Sequence, residues 1–232
     1  MINIKTLASG SKGNAYLLSD GQSSILLECG INFREIQIAT GFKASDIIGC
    51  LVTHEHKDHT KGLKDVLKNG INVYASKGTI DTEGINHHRL KKIEARKQFK
   101  IGNWIIMPFE VEHDAAEPYG FLIANGNDKL LFATDTYYVR YKFKGLTHIM
   151  VECNYSIEIL DSNIVAGYTP PFLKRRLLQS HFSLENVIEF LKVNDLSKLQ
   201  EIHLLHLSDS NSNEAEFKRK IQEVTGVPVY IA

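Results

Sequence analysis

The sequence predicts an α/β protein in which two mixed sheets pack face to face with helices outside, an αββα sandwich formed by a single domain over residues 1–232. Two observations predict this class. Short apolar runs of strand length recur along the whole chain, separated by turns rich in Gly, Asn, Asp and Ser. Helical patterns are fewer, and many strands with few helices fit two packed sheets better than one.

The first half of the chain begins with two predicted strands, "INIKTLA" and "NAYLLSD", on either side of a Gly/Ser turn. The run "SSILLEC" is a buried strand ending at Glu28, and "DIIGCLVT" is another that stops at His54. The segment "HTKGLKDVLKNG" then predicts a helix closed by Gly70. A further strand, "INVYAS", follows that helix.

The second half repeats this alternation. A long strand in "NWIIMPFEVEH" ends at His113, and "YGFLIANGNDKLLFATD" predicts a hairpin whose second strand ends at Asp135. The strand "HIMVEC" ends near Glu152, and a helix with Ser183 as its N-cap follows. The strand "EIHLLH" ends at His206, before a helix in "NEAEFKRKIQEVTG" and a last strand, "VPVYIA".

The composition limits the possible partners. Lys and Arg number 27, as do Asp and Glu, so the net charge of zero gives no global signature of a nucleic-acid binder. No apolar run approaches the ~18 residues of a membrane span, and the N-terminus lacks the apolar region of a signal peptide. Cys29, Cys50 and Cys153 are odd in number and widely spaced, which favours reduced thiols and a cytoplasmic protein.

One short segment, "THEHKDH", concentrates potential metal ligands directly after a predicted buried strand. His54 and His56 are two positions apart in extended chain, so their side chains point the same way. The chain then turns into a helix, and this turn directs the side chains of Asp58 and His59 away from those of His54 and His56, toward a second ion. Imidazole and carboxylate groups bind zinc, manganese or iron. A solvated polar loop is the alternative, but four such ligands in six positions favour a site for two ions, ~3.5–4 Å apart, that can clamp a phosphodiester.

Further ligands are expected from other strand ends. His113, Asp135 and His206 each follow a predicted strand, and strands that share a sheet bring their ends to one rim. Taken singly, each is more simply a polar residue bonded to backbone. Their shared context favours the metal site.

The motifs "THEHKDH", "EHDAAEPYGF", "FATDT" and "LHLSDSN", in this order and spacing, resemble those of metallo-β-lactamase-fold hydrolases. The segments "LASGSKGNAYLL", "VECNYSIEIL" and "TPPFLKRRLLQSHFS" resemble the YycJ/WalJ branch, which is related to RNase Z-type phosphodiesterases. The resemblance covers nearly the whole chain. It implies the αββα sandwich predicted above and a homodimer in which a partner loop completes each pocket.

The resemblance also implies the ligand set. The first ion, zinc in such enzymes with manganese as the alternative, would be bound by His54, His56 and His113. The second Zn²⁺ or Mn²⁺ would be bound by Asp58, His59 and His206. Asp135 would bridge the two ions, and a carboxylate there suits phosphoester chemistry.

Catalytic and substrate-binding roles follow from the same resemblance. Asp58 or Asp135 would orient the attacking hydroxide, and His181 would contact the phosphate or protonate the leaving oxygen, oriented by Glu152. The segment "TDTYY" departs from the family's more usual "TDTG", and this departure places Tyr137 near the site, where it would stack on a base or contact an oxygen. Two residues of the loop 9–14, Ser11 and Asn14, would contact a phosphate, although a plain hairpin turn is the simpler interpretation of that loop. The family's first motif usually has Asp where this chain has Glu28, a residue expected to support the metal loop.

Three functions are compatible with these residues. The first hypothesis is hydrolysis of 3′,5′-cyclic nucleotides, as in the compact phage anti-Pycsar enzymes that this chain resembles, which would act in the host cytoplasm. The alternative is a YycJ/WalJ-like nuclease, a 5′-exonuclease acting on DNA or RNA. The third is a non-catalytic binding module, which the complete ligand set disfavours.

Charge separates the first two hypotheses. Zero net charge and the absence of an RNA-binding arm favour a small substrate. Two basic clusters favour a polynucleotide, unless they are merely solvated faces. The clusters are Arg89, Lys91, Lys92, Arg96, Lys97 and Lys100, and then Lys174, Arg175 and Arg176.

Overall fold

A computed structural model describes all 232 residues of the chain. The strands are β1 (Asn3–Ala8), β2 (Ala15–Ser19), β3 (Ser24–Leu27), β4 (Ile47–Leu51), β5 (Val73–Ala75), β6 (Leu90–Lys92), β7 (Phe99–Ile101), β8 (Trp104–Glu110), β9 (Tyr119–Asn125), β10 (Asp128–Ala133), β11 (His148–Glu152), β12 (Glu201–Leu205) and β13 (Val229–Ile231). The helices are α1 (Phe33–Ala39), α2 (Lys57–Thr60), α3 (Leu63–Lys68), α4 (Lys77–Glu83), α5 (Ile157–Val165), α6 (Pro171–Ser180), α7 (Leu184–Lys192) and α8 (Glu214–Thr225), with a 3₁₀ helix at Ala44–Asp46. None of these helices has the length and apolar character needed to span a membrane.

The strands form two sheets, in the orders β1-β2-β3-β4-β5-β6 and β13-β12-β11-β10-β9-β8-β7. In the first sheet β1 and β2 pair antiparallel with their neighbours, whereas β3, β4, β5 and β6 run parallel. In the second, β10 to β13 run parallel, and β7, β8 and β9 are antiparallel. The prediction of an α/β chain with two mixed sheets is therefore confirmed.

The chain divides into two compact units, of which the first comprises Met1–Glu110 and Ala115–Asp128. Its core includes the fully buried side chains of Leu26, Cys50, Val52 and Val66, drawn from β3, β4, the segment after β4 and α3. Burying an aliphatic side chain of this size contributes about 1.5–3 kcal/mol. This core therefore fixes the carboxyl ends of the parallel strands β3 and β4, from which the chain enters the loops that carry the polar residues described below.

The second unit comprises Val111–Asp114 and Lys129–Ala232. Every residue of β11 is buried, and β12 is buried beyond its first residue. Parallel strands covered on both faces are apolar throughout, which explains why these runs lack alternation. α7 begins at the predicted N-cap, where the Ser183 hydroxyl accepts a hydrogen bond from the Asn186 amide. The single domain predicted from the sequence stays a prediction.

Several elements differ from expectation. The helix predicted from residue 59 to Gly70 is two short helices, α2 and α3, separated at Gly62. The Gly62 amide donates to the Cys29 carbonyl (2.7 Å), and a Cβ on Gly62 would lie 2.4 Å from the Ile31 carbonyl oxygen. The close approach of these two segments interrupts the helix. Sequence analysis also missed the helices α1, α4, α5 and α6 and the short strands β6 and β7, whose residues alternate or repeat too little to be recognised.

The three cysteines are buried and form no disulfide. Burial raises the pKa of the Cys50 and Cys153 thiols well above the ordinary value. Both thiols are therefore protonated and unreactive at neutral pH.

Gly30 is a position at which a methyl group would disrupt the first unit. A Cβ there would lie 1.6 Å from the Asp58 carbonyl oxygen, which accepts a hydrogen bond from the Asn14 amide at 2.7 Å. We expect Gly30→Ala to lower the free energy of unfolding by about 4 kcal/mol or more, because backbone would have to move. Urea unfolding measures this loss.

The matched control for that substitution is Gly21→Ala. Gly21 has a φ of +86°, but a Cβ there meets no atom within 4 Å. Its expected cost is therefore that of backbone strain alone, about 1–2 kcal/mol. Equal losses in the two variants would show that the contact between Gly30 and Asp58 is not what constrains this loop.

Candidate active site

In the first unit, the histidine-rich loop is supported by a buried carboxylate. Glu28 directly follows β3, has a φ of +62° and is fully buried. Its two carboxylate oxygens each lie 3.3 Å from the Thr53 amide nitrogen, and Oε2 lies 3.5 Å from Nδ1 of His59. Burial raises the pKa of Glu28, and the neighbouring His59 opposes that increase. Glu28 thus supports the histidine-rich loop through its contacts with Thr53 and His59, which is the supporting role expected from the sequence.

The two histidines of "HEH" meet at their ring nitrogens. Nε2 of His54 lies 3.0 Å from Nδ1 of His56, and the Thr53 hydroxyl lies 2.8 Å from Nδ1 of His54. The loop continues directly into α2, whose first turn carries Asp58 and His59. Two side chains separated by one residue therefore present their nitrogens at one point, as the extended-chain argument predicts.

Asp58 and His59 are held by the loop that precedes β2. Oδ2 of Asp58 lies 3.4 Å from Nε2 of His59, and the Asn14 side-chain amide lies 3.4 Å and 3.3 Å from these same two atoms. Asn14 is fully buried, and its Oδ1 accepts a hydrogen bond from the Gly10 amide (2.9 Å). Ser11 lies exposed at the tip of the same loop. Asn14 therefore ties the loop 9–14 to the "DH" pair.

In the second unit, the polar residues follow strands that are neighbours in the sheet. Asp135 lies two residues beyond β10, Glu152 ends β11, and His206 directly follows β12. Because β10, β11 and β12 are parallel, their carboxyl ends lie at one edge. Asp135 (φ +44°) and His206 (φ +52°) both have left-handed backbone. Such conformations cost about 1–3 kcal/mol each and persist where surrounding contacts impose them, commonly at functional sites.

The carboxylate of Glu152 accepts hydrogen bonds from several residues of this group. It is fully buried, and its Oε1 accepts hydrogen bonds from Nδ1 of His181 (2.6 Å) and Nδ1 of His206 (3.1 Å). Oε2 accepts from the amides of Thr136 (2.9 Å) and Phe182 (3.2 Å). Burial alone would raise the pKa of Glu152, but the charge and hydrogen bond of His181 outweigh it and lower the pKa. Glu152 is therefore an ionised anchor for two imidazoles.

The imidazoles of His113, His181 and His206 are oriented through Nδ1. His113 donates from Nδ1 to the Ser180 carbonyl (2.9 Å), as His181 and His206 do to Glu152. In His113 and His206, Nε2 is then the nitrogen that presents a lone pair, the arrangement typical of metal-binding histidines. Burial lowers the pKa of His113, which favours its neutral form. The pKa of His181 is raised, because the carboxylate of Glu152 outweighs burial.

The donor set of this unit fits a divalent cation. One ligand atom from each of Asp135, Glu152, His181 and His206 lies within 4.8 Å of the others. Oδ2 of Asp135 is 3.7 Å from Nε2 of His113, and its Oδ1 is 3.7 Å from Nδ1 of His206. Asp135 therefore faces both imidazoles, each with a separate carboxylate oxygen. The structure thus brings together every predicted residue of this unit except Tyr137, which is half-buried and lines the adjacent cleft.

Sequence analysis missed two positioning residues in this unit. Ser180 contributes only its carbonyl, which orients His113. Asn154 donates from its side-chain amide to the His206 carbonyl (2.7 Å), and the same nitrogen lies 3.2 Å from Nδ1 of His206. Neither role has a local signature, since any residue supplies a carbonyl and a buried asparagine most often satisfies backbone.

Asn154→Ala is expected to weaken divalent-metal binding about 10- to 100-fold, because His206 loses the side-chain amide that holds its backbone carbonyl. Titration of the metal-depleted protein with Zn²⁺ measures the change. Asn163→Ala is the matched control, since Asn163 makes a similar bond to the Ser210 carbonyl (2.8 Å). If the Zn²⁺ affinity of Asn154→Ala changed no more than that of Asn163→Ala, Asn154 would have no positioning role in metal binding.

Comparison with known proteins identifies the family. Residues 23–203 match the family model described as a beta-lactamase superfamily domain. The chain belongs to the beta-lactamase superfamily. It is 29% identical to "Exodeoxyribonuclease YycJ" of Bacillus anthracis, over 96% of this chain and 89% of that protein. It is also 29% identical to "Exodeoxyribonuclease WalJ" of Streptococcus pneumoniae, over 89% of this chain and 81% of the relative.

The fold comparison agrees with the sequence comparison. The crystal structure of the metallo-beta-lactamase fold protein YhfI from Bacillus subtilis aligns with a TM-score of 0.76 and 16% identity, over 100% of this chain and 97% of that one. The chain therefore has the metallo-β-lactamase fold, as the motif resemblance implies. With its family and its His/Asp donor set, the protein is a metal-dependent hydrolase.

Proposed function

We propose that the protein is a metal-dependent exodeoxyribonuclease. The observation that carries the proposal is the similarity over most of both chains to two proteins named exodeoxyribonucleases. The histidines and carboxylates described above supply the chemistry that phosphodiester hydrolysis requires. Nucleic acid is then the partner.

The proposed ligands are those implied by the motifs, for two divalent ions that are Zn²⁺ or, alternatively, Mn²⁺. His54, His56 and His113 would hold the first ion, and Asp58, His59 and His206 would hold the second, with Asp135 as a ligand available to both. Such ions supply Lewis acidity, which makes water nucleophilic near neutral pH and offsets charge on the phosphate oxygens.

The remaining roles belong to the protein's own side chains. Asp58 and Asp135 accept hydrogen bonds from the attacking water and orient it. His181, whose raised pKa favours the protonated form, donates a proton to the leaving oxygen, and Glu152 keeps its ring in position. Tyr137 offers a surface for a base, and the exposed loop at Ser11 offers backbone N–H groups to a phosphate. Asn14, being buried, acts by positioning Asp58 and His59.

Hydrolysis of 3′,5′-cyclic nucleotides is the second candidate, ranked first by the sequence because the net charge is zero. The named relatives reverse this ranking. The homodimer implied by the motif resemblance is part of the proposal as well, since a partner loop could complete the pocket.

A substrate panel with Zn²⁺ or Mn²⁺ tests the proposal. It contains 5′-phosphorylated single-stranded DNA, double-stranded DNA, a precursor tRNA, and cCMP, cUMP, cAMP and cGMP. We expect stepwise release of nucleotides from DNA at a rate well above that for every cyclic nucleotide. Rapid hydrolysis of a cyclic nucleotide with inert DNA would overturn the proposal in favour of the second candidate.

A further inference from the structure

A cleft of about 490 Å³ in the second unit opens beside His113. It is lined by Glu112, His113, Asp114, Tyr137, Phe172, Arg175, Arg176, Gln179 and Ser180. Its volume is in the range of ligand-binding clefts. Because His113 and Ser180 are joined by a hydrogen bond, the cleft and the proposed metal ligands share a wall.

One face of α6 contributes four of these nine lining residues. Phe172, Arg175, Arg176 and Gln179 lie at positions i, i+3, i+4 and i+7, so their side chains form a single stripe along the helix. We call these four residues the α6 stripe. All four are exposed, and Phe172 retains 75% of its surface. A ring and two guanidinium groups held in solvent on one helical face have no role in the core of this unit.

The charges of the stripe are available to a ligand. Arg175 and Arg176 form no ion pair, whereas Lys174 on another face of α6 pairs with Asp161. In the other basic cluster, Lys92 and Lys97 pair with Glu94 and Arg96 pairs with Glu110, so half of its charges are already neutralised by neighbours.

The cleft also contains two carboxylates. Glu112 is paired with Arg140, and Asp114 lies 3.4 Å from Nε2 of His113. The acidic groups therefore have partners of their own, and the arginines carry the unpaired charge of the cleft.

From these contacts we infer that the α6 stripe binds the single-stranded nucleic acid that flanks the scissile phosphodiester. The two arginines contact consecutive phosphates, and Phe172 stacks on a base together with Tyr137, which also lines the cleft. Single-strand sites combine basic tracks with aromatic platforms in this way. The stripe spans about 10 Å, and phosphates along a DNA strand are about 3.4 Å apart along the axis, so it reaches at least two nucleotides. A cyclic mononucleotide is too short to use it.

This inference rests on the proposed nuclease function, and the test separates the two. Steady-state kinetics with a single-stranded DNA of about eight nucleotides compares the holoenzyme with Arg175→Ala/Arg176→Ala, Phe172→Ala and Lys174→Ala. Bis(p-nitrophenyl) phosphate, a small diester, is measured in parallel. We expect the double variant to raise KM for DNA about tenfold or more and to flatten the salt dependence of log KM by about 1.4, because two phosphate contacts are lost.

Phe172→Ala is expected to raise KM for DNA about 5- to 150-fold through lost stacking, and Lys174→Ala to behave as the wild type. For the small diester, the losses in the two stripe variants should be at least about tenfold smaller than for DNA. If the two stripe variants had the same KM for DNA as Lys174→Ala, the inference would be overturned, although the proposed nuclease function would not be affected. Cleavage of the small diester without cleavage of any polynucleotide would overturn the proposed function instead.

Size-exclusion chromatography of Phe172→Ala completes the test. An unchanged oligomeric state with weakened DNA binding supports the inference. Dissociation of an oligomer with unchanged KM for DNA would show that the stripe is an interface between copies of this chain, which would overturn it.

Discussion

His54→Ala and Asp135→Ala should each lower the rate of phosphodiester hydrolysis by about 10³-fold or more. Each removes a proposed metal ligand, and an ion that polarises a phosphoryl oxygen is worth several kcal/mol in the transition state. Asp135 is expected to have the larger effect, because its two oxygens face different histidines at 3.7 Å each. Initial rates on DNA measure the loss, together with metal content per chain.

Lys57→Ala is the control for these variants. Lys57 belongs to the same motif and begins α2, but its side chain is 77% exposed and pairs with Glu83, and a surface ion pair of this kind contributes little. Its activity and metal content should match the wild type. Substantial activity in both ligand variants would mean that the reaction occurs elsewhere. A purified wild-type protein with well under one transition metal per chain after Zn²⁺ loading would contradict the metal-dependent mechanism.

His181→Ala is expected to lower kcat about 10²- to 10⁴-fold, the usual contribution of a general acid. Glu152→Gln should lower kcat about 10- to 100-fold and also weaken metal binding, because the lost carboxylate orients both His181 and His206. Since Glu152 acts partly through His181, the double variant should lose less than the product of the two single losses.

The kinetics of the four proteins in this cycle are measured at saturating metal, so that the effect on His206 is minimised. Glu185→Gln is the matched control, because Glu185 also accepts a backbone hydrogen bond, from Ile157, but on an exposed surface (3.2 Å). It should leave kcat and metal affinity unaltered. If the loss of kcat in the double variant equalled the product of the two single losses, Glu152 would not act through His181.

The elements that the sequence predicts are those whose pattern lies within a few adjacent residues. The strands β8, β11 and β12 and the helix α7 were recognisable because each combines an apolar pattern with a turn or cap in adjacent sequence. The break at Gly62 was not, because its cause is a contact with Cys29 and Ile31, some thirty positions away. The helix α6 was missed because its cleft-facing residues are polar or exposed rather than periodic and apolar.

What the sequence by itself determined is the identity of the proposed ligands. His54, His56 and Asp58 share one short motif, and Asp135 and His206 each end an apolar run, so residue type and position together revealed them.

Only the tertiary structure decided how those groups are held. Glu152 anchors two histidines with one oxygen, the Ser180 carbonyl orients His113, and Asn154 secures the residue after β12. The α6 stripe likewise became a candidate binding surface only beside His113. The physical reason is that orientation depends on hydrogen bonds between segments distant in sequence, and neither partner of such a bond differs locally from an ordinary polar residue.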